Sequence, residues 1–342
     1  MAANGFHQGA GKPNWLLNRA LPVCLLLLLL ALGGCPQKAL PTAAKLSQAG
    51  QDTATQIQTA AILTDDQLLS IHKTLAFHNA YSDARAKRPI GSRPLDKPLL
   101  DKIDTLQKLL VADANWLTSL RNAYAALGAL ATYDASGNFL TAFNELSTST
   151  TSLLTAFGKT APPAVLSNIF QYAGEKAVAF AQTQKVIAAS KAIQTELDRA
   201  IGVLSEAKIK IHYTSLQEEY IELIKLTATI LIKKGVLSIK PLANDIGSTF
   251  GTVASANADK IVQGNSELQA GFCGEIMEMA KLQAQQVEKA YDKSLEASRA
   301  LKKVHADLEA SAQLDMTQVT AIVEQLKAIV AKITVKTAAK EN

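Results

Sequence analysis

The residues that could do chemistry in this chain are few and scattered. A metal site on a helical bundle needs carboxylate and histidine three or four residues apart on one helix, yet neither Glu-x-x-His nor His-Glu-x-x-His occurs. His72 and His78 share no face, because six residues turn a helix by about 240°. His78 and His305 fall where apolar residues are expected, which predicts packed, hydrogen-bonded rings rather than ligands. Gly158-Lys159-Thr160 resembles the end of a phosphate-binding loop. That loop requires a glycine where Leu153 stands, and a helix after it rather than before it. The Gly-x-Ser-x-Gly turn of a serine hydrolase is absent.

Paired carboxylates can divide acid and base roles where burial separates their pKa values. Glu218 with Glu222, and Glu275 with Glu278, share helix faces, but Lys225 and Lys281 sit beside them, the pattern of a solvated face. Asp113 interrupts an otherwise apolar spacing. Either it is buried, with a partner or as a device that fixes helix register, or a slight rotation seats Ala114 in the core and exposes it. The second is the expectation. None of these residues nominates a reaction. No catalytic residue, metal or cofactor is assigned.

What must position these residues is almost entirely helix. Hydrophobic residues make up 48% of the chain and aromatics only 5%, which supplies a core but few walls for a small-molecule pocket. Apolar positions recur at alternating steps of four and three, the seam of a coiled coil. Ile57, Leu68, Ile71 and Leu75 mark the first seam, and Thr64-Asp65-Asp66-Gln67 within it reads as a capping box where the helix can break or restart. Leu99 to Ala131 hold the spacing without a slip, with Tyr124 on the seam. Phe139 to Phe157 form a third seam that Gly158 stops, and the serine and threonine run at 147–152 is expected to loosen it. A fourth stretch opens at Pro162-Pro163. It keeps register from Val186 through Ser190 to Ile211, continues in shifted phase through Leu216 and Tyr220, and ends near Lys234-Gly235.

Residues 235–257 are a pliable segment in which Val236-Leu237-Ser238-Ile239 can be extended and Pro241 can start a short helix. A long seam rich in alanine and serine follows from Cys273, through Tyr291, Ser294, Ser298 and His305, to Ala312. Asp315 caps a last helix with Val319, Ile322, Leu326 and Ile333 on its apolar face. The fold class is therefore all-α: an elongated antiparallel helical bundle of long coiled-coil-like helices, one domain over residues 46–338.

The N-terminus carries an address. Lys12 and Arg19 precede twelve apolar residues at 21–32, too few to span a bilayer but the length of a secretory apolar region. Its last residue opens the run Leu32-Gly33-Gly34-Cys35. This segment resembles the signal peptides of bacterial lipoprotein precursors, whose signal cleavage motif is an aliphatic residue and two small residues before a cysteine. The resemblance implies that residues 1–34 are removed and that Cys35, the new N-terminus, carries diacylglycerol on its sulfur, with two or three acyl chains such as palmitate in all. Residues 35–45 would then be a lipidated tether. Two or three acyl chains anchor stably where one does not. Pro36, in place of the aspartate that retains such proteins at the inner membrane, implies the outer membrane of the envelope, with the protein facing the periplasm.

Removal of Lys12 and Arg19 leaves 33 basic and 30 acidic residues, a net +3 that is no nucleic-acid footprint. Loss of Cys24 and acylation of Cys35 would leave Cys273 without an intrachain partner, and a buried, inert thiol is expected there. Arg85, Lys87, Arg88 and Arg93 form the densest basic patch, either a solvated loop or a contact for acidic headgroups or a partner. The expected function is a non-enzymatic, lipid-anchored scaffold or interaction module for another envelope protein or for self-association. The alternatives are a membrane-active helical protein resembling alpha-helical pore-forming toxins, with residues 221–242 as the stored segment, and a solute-binding lipoprotein.

Overall fold

The computed structural model describes residues 36–91, 97–133, 135–160, 178–310 and 316–338. Among these, every regular element is a helix, and the helices pack together as an all-α bundle. In chain order they are α1 (Pro36–Arg85), α2 (Lys97–Thr132), α3 (Ser136–Ala156), α4 (Val178–Leu204), α5 (Lys208–Lys233), α6 (Lys240–Ser248), α7 (Ala258–Gln263), α8 (Ser266–Glu309) and α9 (Thr317–Ala338). At 1.5 Å per residue the 50 residues of α1 span about 75 Å and the 44 of α8 about 66 Å.

Cross-helix hydrogen bonds fix the directions. Ser47 Oγ donates to Tyr124 O and Gln58 Nε2 to Thr118 Oγ1, so α1 and α2 are antiparallel. Gln182 Nε2 on α4 reaches Leu130 O near the end of α2, and Lys210 near the start of α5 pairs with Asp292 of α8 at 2.7 Å. Thus α4 and α5 run in the direction of α1, and α2 and α8 return. The main core is a leucine and alanine column centred on Leu106, Leu117, Leu127, Leu197 and Leu301. A second, small cluster of Ala228, Ile232, Ile239, Ala258, Val262 and Cys273 holds the far end, where α5 and α8 are joined through α6 and α7.

Three sequence expectations need correction. Helix α1 does not break at Thr64: that side chain is buried, and its hydroxyl donates to Ala60 O at 2.9 Å instead of capping a new helix. Nor is 36–45 a tether. It is helical from Pro36, and Ala39 and Ala43 lie in the main core. The register expected from Val186 to Ile211 fails at Ser205–Ala207, where Ala207 adopts φ +55 and separates α4 from α5. Beyond that break Ile209 is buried and Ile211 is 61% exposed.

The expected glycine stops hold. Gly158 and Gly235 follow helix ends at φ +75 and +68. Pro241 lies in the first turn of α6, and no strand forms over residues 236–239. Against the expected loosening, the run at 147–152 stays helical because its hydroxyls fold back onto carbonyls, as Thr150 Oγ1 does to Leu146 O at 2.8 Å. Pro162-Pro163 and Asp315 lie outside the described residues.

Helices α1 and α2 approach closely at Gly50, where a β-carbon would stand 2.3 Å from the Tyr124 ring. Gly50→Ala is expected to cost about 1–3 kcal/mol through this overpacking. Gly202→Ala faces open space and should gain up to about 1 kcal/mol from helix propensity. Urea denaturation of the two variants reads the opposite signs; equal shifts would refute the close approach.

Candidate functional site

Leu32, Gly33 and Gly34, the expected signal cleavage motif, and Cys35, the expected lipidation residue, lie outside the described residues. What the fold assembles elsewhere is two buried polar centres, each built from seam positions that carry a polar side chain.

The first joins α2, α4 and α8. His305 is completely buried; its Nε2 lies 2.8 Å from Tyr124 Oη and its Nδ1 2.8 Å from Ser190 Oγ. A neutral imidazole has one donor and one acceptor, and both partners are hydroxyls, so either tautomer satisfies both bonds. Burial pushes the imidazole pKa down to about 3, so the ring is neutral at ordinary pH. Burial also pushes the Tyr124 phenol far above its usual value. The Ser190–His305 distance is that of a nucleophile and its base. Yet all three residues are fully buried, and a hydroxyl stands where a carboxylate would orient the ring. No substrate carbonyl reaches Ser190. The arrangement is a polar clasp, as expected of a packed histidine.

The second centre corrects an expectation. Asp113 is buried at 6% exposure, while Ala114 is only half-buried, so the helix is not rotated to release it. The carboxyl faces a cavity of about 40 Å³ bounded by Thr64, Trp116, Tyr213, Tyr291, Ser294 and Ser298. That is space for two or three waters. Asp113 Oδ1 and Trp116 Nε1 are both buried without a hydrogen-bond partner among the described residues. Lys210 borders the same cavity but gives its ammonium to Asp292, and Glu288 accepts from Thr214 Oγ1 at 2.8 Å. Without a cation beside it, the Asp113 carboxyl is pushed by burial from 3.8 up to about 7. Tyr213 hydrogen-bonds Gln67 Oε1, and Tyr291 donates to Leu204 O at 2.5 Å, which closes the wall at the α4–α5 break.

The remaining candidates stay apart. Glu218, Glu222 and Glu278 are exposed, and Lys225 and Lys281 pair with Glu222 at 3.8 Å and with Glu278 at 2.6 Å. Cys273 is buried, 3.4 Å from Thr229 Oγ1. His78 lies at the half-buried edge of α1 rather than in the core. Of the basic patch, Arg88 lies 3.5 Å from the buried Asp83, and Arg93 is outside the described residues. No group of three metal-ligating side chains occurs among the described residues. Sequence reasoning missed Glu196, buried and held by Arg199 Nη1 at 2.9 Å to both oxygens; the only signal was Glu-x-x-Arg beside seam residue Leu197. An open groove between α2 and α3 is lined by Asn115, Thr118, Asn122, Asn144 and Thr148, and it offers no aromatic platform.

Comparison with known proteins finds no matching family model, no matching curated protein and no matching solved structure.

Proposed function

We propose that this chain is a lipid-anchored protein of the bacterial cell envelope, facing the periplasm, that acts as a non-enzymatic helical scaffold for another envelope protein or a second copy of itself. One observation carries the reading: Gly33-Gly34-Cys35 directly follows a twelve-residue apolar segment that ends in Leu32. Two features support it. The residues of the polar centres that could pass for catalytic ones are buried in the core. The helix starts at Pro36, so acyl chains on Cys35 would hold the rod by its end with almost no slack. Two or three chains suffice for stable anchoring.

Labelling the host cell with palmitate and weighing the mature N-terminus tests the anchor. Cys35→Ser is expected to abolish the label and move the protein from the membrane fraction to the soluble one. An unmodified Cys35 thiol in the native protein would end the proposal. Crosslinking in intact cells then tests the scaffold: a specific partner or a dimer is expected, and recovery of monomer alone removes that part. The membrane-active alternative has one observation behind it, the exposed apolar residues where α5 and α8 are joined. Dye release from liposomes by the unlipidated chain is its test.

A further inference from the structure

The hairpin of α5 and α8 ends in a segment whose apolar residues point the wrong way for a core. Phe250 is 78% exposed, Val253 87% and Val236 72%, and Ile246 is exposed beside them. The segment is nonetheless built. Asn244 Oδ1 accepts from the Ala254 amide at 2.7 Å, and the Thr252 amide donates to Gly247 O at 2.9 Å. Gly251 takes the turn between Phe250 and Val253 at φ +69. Asp259 accepts from Ser238 Oγ at 2.9 Å and from the Ile239 amide at 2.7 Å, which ties the start of α6 to α7. These bonds hold Phe250 and Val253 outward while Ile239, Ala258 and Val262 fill the cluster beneath.

Charge says what such an apex suits. Lys233, Lys234, Lys240 and Lys260 flank it, all exposed and none in an ion pair among the described residues. The acids between residues 233 and 263 are Asp245 and Asp259, and the second is already engaged. A convex apolar end with unpaired cations around it matches the boundary of an anionic bilayer, where apolar tips enter and lysines stay at the phosphates. A protein partner would instead find a protrusion with no packed centre for its anchor residues. No described helix is long and apolar enough to cross a membrane, so the contact is at the surface.

We propose that the α5–α8 apex is a lipid-docking surface, with Phe250, Val253 and Val236 entering the headgroup region of an anionic membrane and Lys233, Lys234, Lys240 and Lys260 pairing with its phosphates. The apex lies far from residue 36: Ser47 and His305 are level, both bonded to Tyr124, and α8 runs about 60 Å from His305 back to Ser266. The inference goes beyond the acyl anchor and does not depend on it. Its test uses the processed chain, residues 35–342, with Cys35→Ser and no acyl group, so the two ideas fail separately.

Co-sedimentation with phosphatidylcholine vesicles containing one quarter phosphatidylglycerol is expected to show salt-sensitive binding. Binding should weaken at least about tenfold on pure phosphatidylcholine, and about fivefold for each lysine replaced by glutamine. Phe250→Ser with Val253→Ser is expected to abolish it with unchanged helicity, since both side chains are exposed. Phe250→Trp should bind like the parent and be quenched by brominated lipid. Absence of binding to the anionic vesicles, equal binding by the double serine variant, or an unquenched Trp reporter would overturn the proposal. So would a double variant that binds vesicles normally but loses a crosslinked protein partner.

Discussion

Replacing Asp113 by asparagine is expected to stabilise the bundle by about 4 kcal/mol at pH 8, and by less than about 1 kcal/mol at pH 4. The reason is the carboxyl's position. It is buried against a cavity of about 40 Å³, and Lys210, the one cation on the cavity wall among the described residues, is committed to Asp292. Its pKa stands near 7 in the folded protein against 3.8 ordinarily. The folded state therefore binds more protons at Asp113 than the unfolded chain between those values, so this group's contribution to stability is greatest below about pH 4 and falls as pH rises towards 7. Asparagine cannot ionise and escapes that loss.

Among the described residues, Glu288 on α8 and Lys210 on α5 are the other charged groups on the cavity wall, and both already have partners. Urea denaturation of wild type and Asp113→Asn from pH 4 to 8 reads the effect directly. Two parallel stability curves would mean that the carboxylate ionises without cost, and the burial argument would fail.

The helices were largely legible in the sequence because a 4-3 apolar spacing needs only local information. Leu99 to Ala131 kept it without a slip and form one helix, α2, and Gly158 and Gly235 stand just past helix ends at positive φ. The misreadings share a cause. Thr64 next to Asp65 and Asp66 looks like a cap, but the same threonine inside a helix bonds its own preceding turn, and burial of Ile57, Leu68 and Ile71 along one face decided the outcome. At Ser205–Ala207 the phase shift between Ile211 and Leu216 was visible, but an alanine at φ +55 has no sequence signature comparable to glycine.

The polar centres were half legible. Tyr124, Ser190 and His305 each sat on a seam, as did Thr64, Asp113, Ser294 and Ser298. Which of them meet depends on the register between helices up to 181 residues apart, as for Tyr124 and His305. That register is set by the whole core, with contributions such as Gly50 lying flat against Tyr124. A single helix carries no record of it. Asp113 failed for the related reason that rotation by one residue changes little in α2 alone but would unseat Trp116 and Leu117, both completely buried.

His305→Leu is expected to destabilise the protein by about 2–4 kcal/mol at pH 7, because it removes the ring that both hydroxyls bond and leaves the buried Tyr124 hydroxyl orphaned. Ser190 can turn back to its own helix, as Ser294 does to Ala290 O at 2.7 Å, so Tyr124 carries most of the cost. Adding Tyr124→Phe in the leucine background should therefore recover part of the loss, a coupling that a double-mutant cycle isolates.

Acid gives the second signature. The His305 pKa is about 3 in the folded state against 6.5 ordinarily, so the unfolded chain takes the proton first. The contribution of His305 to wild-type stability is full above pH 6.5 and is lost as pH falls, about 3 kcal/mol of it by pH 4. The leucine variant lacks this loss, so the gap seen at neutral pH should close in acid. Asp113 acts with the opposite sign over the same range, and Asp113→Asn serves as the common background in which the histidine is measured alone. A gap that stays constant from pH 7 to 4 would show that His305 accepts its proton in place, and the clasp would then be wet rather than sealed.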